Sequence, residues 1–367
     1  MPGPGMMTPG LPGGEVSRAI ALHTRAAIMR RMAQTVDYAF VGGLRQDYCI
    51  THDGRLFAGM LGGNAVYAAV GARVWSDSVG LISRVGSDYP ADWLAQLRER
   101  RFNLNGVHRL SDPQDTRTFY AYVSPEERVD TRPAAHFLRI GQPMPKELVG
   151  YQHSTLQQDS RSAPGPLAVR IEDLPAWIAG CRGVHLSPSD YLTHVTLPAH
   201  LREQGVPRLS LDPSLMYMDP AFRRELPSIV KGLDSFLPSE MEAQAFFRPD
   251  RLSVWEMAEA FAGMGCPVIV IKCGAQGQAV LDGPSGQRWK LPAYPAQATD
   301  VTGAGDAYCG GFLVGLDRTG DPVEAALMGC VSASLVIEGT GALYALDALP
   351  GLPEARLYAL RQSIGRA

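Results

Sequence analysis

Asp300-Val301-Thr302-Gly303-Ala304-Gly305-Asp306, followed by the small and apolar run 307–315, decides how this chain is read. Two glycines flank an alanine at a predicted helix start, and a carboxylate comes directly after them. Free N–H groups at a helix N-terminus attract anions, and residues without bulky side chains let a phosphate approach the main chain. A carboxylate beside such a cradle is electrostatically costly unless it has a task of its own. The task that fits is taking a proton from a hydroxyl that attacks the phosphate. The string therefore points to phosphoryl transfer from a nucleotide to an alcohol. The same small residues would also serve close helix packing, with Asp306 as an ordinary first-turn acid.

Composition narrows the field. The 367 residues allow one large α/β domain or two smaller ones. With 46% hydrophobic and 19% charged residues, a substantial core is expected and global disorder is not. Net charge is −3, and no block of Lys or Arg occurs, so neither nucleic acid nor a membrane is the expected partner. The cysteines (Cys49, Cys181, Cys266, Cys273, Cys309, Cys330) are scattered and read as buried thiols of a reducing, cytoplasmic protein. No apolar run approaches the length of a membrane span. Residues 1–14 are rich in Pro and Gly and are expected to be disordered. Residues 15–32 carry Arg18, Arg25, Arg30 and Arg31 on a potential short helix, a pattern shared with transit peptides, while Met29 and Met32 are alternative starts. Residues 1–34 are accordingly set apart from the fold as an extension.

Working outward from the string, strands and helices alternate. Residues 38–41 read as a buried first strand ending at Gly42-Gly43, and a small, apolar helix follows Gly62-Gly63. Residues 79–85 read as the next strand, with Ser87-Asp88 capping a helix over 91–100 whose buried stripe is Trp93, Leu94 and Leu97. Residues 118–123 alternate as a solvent-facing β element, and 124–170 read as a long loop. Strands at 183–186, 208–211 and 268–272 alternate with helices over 192–204, 239–247 and 254–264. Asp282-Gly283-Pro284-Ser285-Gly286 turns a hairpin, and 322–338 supplies one or two late helices. This pattern predicts an α/β fold with a parallel sheet and crossover helices.

In this order the signals resemble the ribokinase-like carbohydrate kinases, also called the phosphofructokinase-B family, over roughly residues 36–350. Asp300 to Asp306 is the family's most specific signature, and Gly62-Gly63 resembles its N-terminal glycine signature. The resemblance implies a three-layer, doubly wound, mostly parallel sheet over 35–355 with a small β lid built near 47–60 and 113–135. Residues 356–367 would form a C-terminal helix or tail. It implies ATP and Mg²⁺, and a sugar, polyol or nucleoside as acceptor. Lid-mediated dimers in relatives make a homodimer through the lid an expectation.

Carried over residue by residue, Asp306 would be the base, with the N–H groups of Gly303, Ala304 and Gly305 as the anion hole. Asp47 would bind substrate hydroxyls, and the Gly62 and Gly63 backbone would approach the sugar. Both glycines also suit a tight turn. Lys272, Gly274 and Gly277 fall in the family's nucleotide loop, where Lys272 replaces the usual Thr or Ser. A phosphate partner and a solvated strand end fit Lys272 equally. Glu242 matches the acid that holds Mg²⁺ through water, although Ser239 replaces the usual Asn and a first-turn helix acid is the plainer role. Asp300 and Thr302 match positions that hold a monovalent cation such as K⁺ in several relatives. Tyr67 stands where the family commonly has a sugar-binding Asn, with Asn64 nearer the turn. A phenol cannot reproduce an amide's paired donor and acceptor, which argues against assuming ribose or fructose 6-phosphate.

Two rivals are weaker. Gly303-Ala304-Gly305 resembles part of a dinucleotide fingerprint, but no full Gly-x-Gly-x-x-Gly follows the first strand, and no Walker A lysine motif occurs. A catalytically silent sugar or nucleotide sensor on the same fold would have no need of Asp306.

Overall fold

Apolar side chains alternate along the short central strands, and this sends them to two separate cores. The structure, a computed structural model, describes residues 35–124, 127–152 and 160–364 together with Met1 and Gly3. The expectations for residues 2 and 4–34, including the short N-terminal helix, lie outside the described residues.

The first half runs β1 (Tyr38–Val41), β2 (Arg45–Ile50), β3 (Leu56–Gly62), α1 (Asn64–Arg73), β4 (Val79–Val85), α2 (Ala91–Glu99), β5 (Asn103–Arg109), β6 (Arg117–Tyr122), β7 (Arg128–Val129) and α3 (Pro133–Arg139). The second runs β8 (Gly183–Leu186), α4 (Tyr191–Glu203), β9 (Arg208–Leu211), α5 (Leu226–Val230), β10 (Ser235–Phe236), α6 (Glu240–Phe247), α7 (Val254–Ala262) and β11 (Val268–Lys272). It ends with β12 (Gln278–Asp282), β13 (Gln287–Leu291), α8 (Ala304–Thr319), α9 (Pro322–Val336) and α10 (Leu352–Ile364).

A nine-stranded sheet has the order β13-β12-β11-β10-β9-β8-β1-β4-β5. It is parallel from β11 to β5, with β12 and β13 added antiparallel at one edge. Tyr38 and Phe40 of β1 and Val268 and Val270 of β11 face one core, shared with α1, α8, α9 and α10. Ala39, Val41, Ile269 and Ile271 face the other, shared with α4, α6 and α7. This is the three-layer α/β arrangement. Strand order reverses where β1 lies between β8 and β4, and such a switch point opens a ligand crevice at the strands' carboxyl ends.

A second sheet, β3-β2-β6-β7, forms the lid. Its two faces part cleanly. Tyr48, Ile50, Phe119 and Ala121 point away from the crevice into a small core completed by Phe137 of α3 and by Leu148. Asp47, Cys49, Thr118 and Tyr122 occupy the opposite face, where they bond to one another and to the 300–302 loop. A bulge between Asp47 and Tyr48 takes up Gly59, whose φ is +67°.

Several expectations need correction. Residues 118–122 are not a solvent-facing element, because Phe119 and Ala121 are buried in the small core with Phe137 and Leu148; of the expected 118–123 only Val123 is exposed. The predicted loop 124–170 instead contains β7, α3 and short 3₁₀ turns, and residues 125–126 and 153–159 lie outside the described residues. The lid sheet's outer face packs against the chain's own α3 and Leu148. Ser87-Asp88 does not cap α2; its N-cap is Pro90, and Asp88 Oδ1 accepts from the Gln114 N–H at 3.0 Å. Of the two alternatives for the C-terminus the described residues form the helix, α10, with Leu357 and Leu360 buried in the first core. All six cysteines are free thiols, five of them buried. No helix among the described residues is long and apolar enough to cross a membrane.

Candidate active site

The carboxyl ends of β8 to β11 and the starts of α1 and α8 converge on one crevice. Gly303 precedes α8 in the left-handed region (φ +77°), and no side chain caps that helix. A Cβ at Gly303 would overlap the Tyr67 ring, so glycine is required on both counts. The Ala304 N–H turns back onto the Val301 carbonyl at 3.2 Å. The N–H groups of Gly303 and Gly305 find no acceptor among the described residues and stay available to an anion. Of the three amides assigned from sequence, Ala304 is thus the one already engaged.

Asp306 follows in the first turn, and its carboxylate makes no hydrogen bond or salt bridge among the described residues. Burial, reinforced by the nearby Asp212 charge, pushes it up to about 8 against the opposing pull of Lys272 and Arg128. A carboxylate so placed is a stronger proton acceptor than an ordinary one.

Lys272 is neither a solvated strand end nor free. Its Nζ donates to Asp212 Oδ2 at 2.5 Å, with side-chain exposures of 12% and 5%. A Cβ built on Gly305 would lie 3.6 Å from Nζ, so the ammonium flanks the open first turn of α8. Burial is the largest single influence and weakens the ammonium's hold on its proton, but Asp212, Cys309 and Glu242 together outweigh it and the net direction is up. Asp212 was not found from sequence; the available signal was a carboxylate closing the apolar strand β9.

Glu242 spends one oxygen on a helix cap. Its Oε2 accepts from Ser239 N and Ser239 Oγ, both at 2.7 Å, while its own N–H donates to Ser239 Oγ. Oε1 has no hydrogen-bond partner among the described residues and is the oxygen that could accept from a metal-bound water. Burial and the Asp212 charge push Glu242 up to about 7. Lys272 N–H donates to the Pro238 carbonyl, which ties this cap to the end of β11.

On the acceptor side, Asp47 is 2% exposed. Its Oδ1 accepts from Thr118 Oγ1 at 2.7 Å, whereas Oδ2 is buried without a partner. Burial raises it to about 6, the Thr118 bond acting in the other direction. The Gly63 N–H also acts on this carboxylate, and Oδ2, which completes no hydrogen bond, is the oxygen open to a hydroxyl donor. The glycine pair serves this packing. A Cβ on Gly62 would overlap the Asp47 carboxylate, and one on Gly63 (φ +103°) would overlap the Gly43 backbone.

Asn64 is held between two loops. Its Oδ1 accepts from the Gly43 N–H at 2.8 Å and its Nδ2 donates to the Pro188 carbonyl at 2.7 Å, making it a strut between two loops. Tyr67 lies on Gly303, and its phenol is raised well above its ordinary value by burial and then by the charges of Asp47 and Asp300. It therefore stays neutral between the two halves of the site.

Asp300 Oδ1 accepts from the Thr302 N–H at 3.0 Å, and Thr302 Oγ1 lies 3.0 Å from the Tyr122 hydroxyl of the lid. A cavity of about 20 Å³ bounded by Thr51, Tyr122 and Asp300 adjoins this latch. In the 272–277 loop, Gly274 (φ +57°) faces open space. Gly277 (φ +90°) packs against the Leu291 carbonyl, so its glycine is explained by chain contact. Tyr120 and Arg128, also missed from sequence, stand on the lid's inner face with the guanidinium 4.6 Å over the ring. Both are close enough to Asp306 to interact electrostatically with it.

Residues 178–349 match the family described as pfkB family carbohydrate kinase. A cytidine kinase of Thermococcus kodakarensis is 28% identical over 291 residues, 79% of this chain and 91% of that enzyme. A fructokinase of Klebsiella pneumoniae is 30% identical over 51% of this chain and 62% of that enzyme. The crystal structure of a putative ribokinase II from E. coli in complex with ATP and Mg²⁺ superposes with a TM-score of 0.64 at 16% identity, covering 90% of this chain and all of that one. At that identity the likeness concerns the fold. Over residues 178–349 the chain is thus similar to the pfkB family of carbohydrate kinases; it has the ribokinase-like α/β fold and is a phosphotransferase with a hydroxyl acceptor.

Proposed function

We propose that this protein transfers the γ-phosphoryl group of ATP to a hydroxyl of a sugar or polyol held between Asp47 and Asp306. One observation carries the reading. An unpartnered carboxylate, Asp306, sits in the first turn of a helix whose Gly303 and Gly305 N–H groups are unspent, across Tyr67 and Tyr120 from the orphaned Asp47 Oδ2.

The chemistry follows from these groups. A ring hydroxyl donates to Asp47 Oδ2 and fixes the acceptor's orientation. Asp306 takes the proton of the attacking hydroxyl as the oxygen–phosphorus bond forms. Charge on the phosphoryl oxygens meets the Gly303 and Gly305 N–H groups and the Lys272 ammonium, where a single lost donor costs about a hundredfold in rate or more. Glu242 Oε1 would hold a water of bound Mg²⁺, which supplies charge neutralisation across the phosphates. The open side of Gly274 leaves room for the nucleotide. A monovalent cation such as K⁺ is proposed beside Asp300 and Thr302.

A nucleoside acceptor is the second reading, favoured by the tyrosine wall of Tyr67, Tyr120 and Tyr122, against which a base would stack. The cytidine kinase that aligns with most of the chain points the same way. A phosphorylation screen with ATP and Mg²⁺ over sugars, cyclitols and nucleosides decides between them. Turnover of nucleosides alone would overturn the sugar reading. Ligand binding without any turnover would make the protein a sensor. With the accepted substrate, Asp47→Ala is expected to raise the acceptor KM about 10- to 100-fold, the value of a hydrogen bond to a charged group. The KM for ATP should not change, and equal effects on both would refute the acceptor role.

A further inference from the structure

Beside the start of α8 the crevice gathers three carboxylates, Asp212, Glu242 and Asp306, and one buried ammonium, Lys272. The ammonium could neutralise any of them, yet it pairs with Asp212, the one acid for which neither family resemblance nor the catalytic reading has a use. We infer that Asp212 is a positioning residue for phosphoryl transfer, holding Lys272 Nζ beside the open first turn of α8 and away from the Asp306 carboxylate. This rests on the kinase reading above and adds a division of labour within it.

Four observations support the assignment. The Lys272–Asp212 contact is short, 2.5 Å, and both side chains are nearly enclosed. Cys309, one turn beyond Asp306 on α8, places its Sγ 3.5 Å from Lys272 Nζ and 3.5 Å from Asp212 Oδ2, which packs the pair against the catalytic helix. The same ammonium lies 3.6 Å from where a Gly305 Cβ would stand, within reach of an anion bound at that amide. Asp212 Oδ1 is buried without a partner, a cost with no structural return unless the carboxylate is needed at this place.

The separation matters chemically. A lysine paired directly with Asp306 would stabilise its ionised form and block its lone pairs, so the base would be weaker and less accessible. Parked on Asp212, the same charge stabilises phosphoryl oxygens instead. The charged and titratable groups acting on Asp306 come from several elements: Asp212 after β9, Glu242 of α6, Lys272 of β11, Arg128 of β7, Tyr120 of β6 and Cys309 of α8 itself. Asp212 and Glu242 act to raise it, Lys272 and Arg128 to lower it.

The test uses Asp212→Asn, Lys272→Met and the double variant in the full chain, read in two ways. The acid limb of the kcat–pH profile should move to lower pH in Asp212→Asn, because a repelling charge is lost and the ammonium is freed toward Asp306. It should move to higher pH in Lys272→Met. By calorimetry, both single variants should lose wild-type preference for ATP over ADP, the difference reporting contact with the γ-phosphate. Breaking one partner of a buried pair can unfold a protein, whereas replacing both is close to neutral. The double variant is therefore the folded control, expected to keep an acid limb near that of wild type with a low plateau. Limbs that stay put or move the same way in both single variants would overturn the inference, as would equal wild-type affinities for ATP and ADP. Should a single variant not fold, wild-type turnover in the double variant would overturn it. Absence of wild-type turnover with every acceptor would instead strike the kinase reading, leaving the ATP/ADP comparison as the test of the pair.

Discussion

Asp306→Asn is expected to lower turnover by a factor of about 10² to 10⁴, the usual contribution of a positioned general base. The substitution keeps the side chain's shape and removes only its capacity to accept a proton. Nucleotide affinity should be largely retained, because the Gly303 and Gly305 N–H groups and Lys272 are untouched. A second effect runs the other way. Folding raises the Asp306 carboxyl to about 8, chiefly through burial and then through Asp212. The folded chain therefore binds a proton more tightly than the unfolded chain, whose carboxyl titrates at roughly 4. Stability linked to that proton is fully present below the unfolded value and is lost as pH rises through the folded one. Asn carries no such liability, so the variant should melt at a higher temperature than wild type at pH 8, with the gain fading toward pH 4. Asp47 and Glu242, raised to about 6 and about 7, weaken the wild-type site over the same range. Steady-state rates and thermal melts at several pH values check both halves. Near-normal turnover would remove Asp306 from the role of base. A pH-independent melting difference would leave the role intact and refute the raised carboxyl.

What was legible in the sequence was local. The hairpin at 282–286, the strand at Val79–Val85 and the glycine-led helix start at 303 each follow from the chemistry of adjacent residues, and the structure places them as expected. What was not legible depended on partners far along the chain. Asp88 looks like a helix cap until the Gln114 N–H, 26 residues away, claims its carboxylate. Thr118, Tyr120 and Tyr122 reach the site only because β6 pairs in parallel with β2, bringing Thr118 beside Asp47 across 71 residues. Parallel pairing has no turn signature, so nothing local announces it. The segment after β6 has few apolar residues, and only the folded lid shows that Phe137 and Leu148 bury its outer face. Asp212 follows β9 and Lys272 ends β11, with β10 between those strands, and neither residue alone implies an ion pair.

Gly310→Ala is expected to damage both stability and turnover, against the roughly 1 kcal/mol by which Ala is the better helix former. Gly310 lies mid-way along α8 and Gly71 near the end of α1, where the two helices touch backbone to backbone. A Cβ on Gly310 would overlap the Ala68 carbonyl oxygen and stand 2.8 Å from the Ala72 nitrogen. One on Gly71 would overlap the Ala307 carbonyl and stand 2.7 Å from the Ala307 Cα. No rotamer change can relieve a clash with main chain, so the helices must separate. Overpacking of this kind costs about 1–3 kcal/mol, and the upper end applies where only backbone can yield. The functional loss follows from what the helices carry. α1 starts at the Gly62-Gly63 turn that packs on Asp47, and α8 starts at the anion-binding turn and Asp306. Their close approach sets the distance between acceptor hydroxyl and base, and a displacement of about 1 Å there can cost on the order of a hundredfold in rate. Turnover of Gly310→Ala should therefore fall by more than its unfolded fraction explains, measured on protein shown to be folded at the assay temperature. Gly180→Ala, at a position with nothing within 4 Å of the added carbon, is the matched control and should be silent. Wild-type melting and turnover in Gly310→Ala would mean that the two signatures are held in register by something other than this glycine contact.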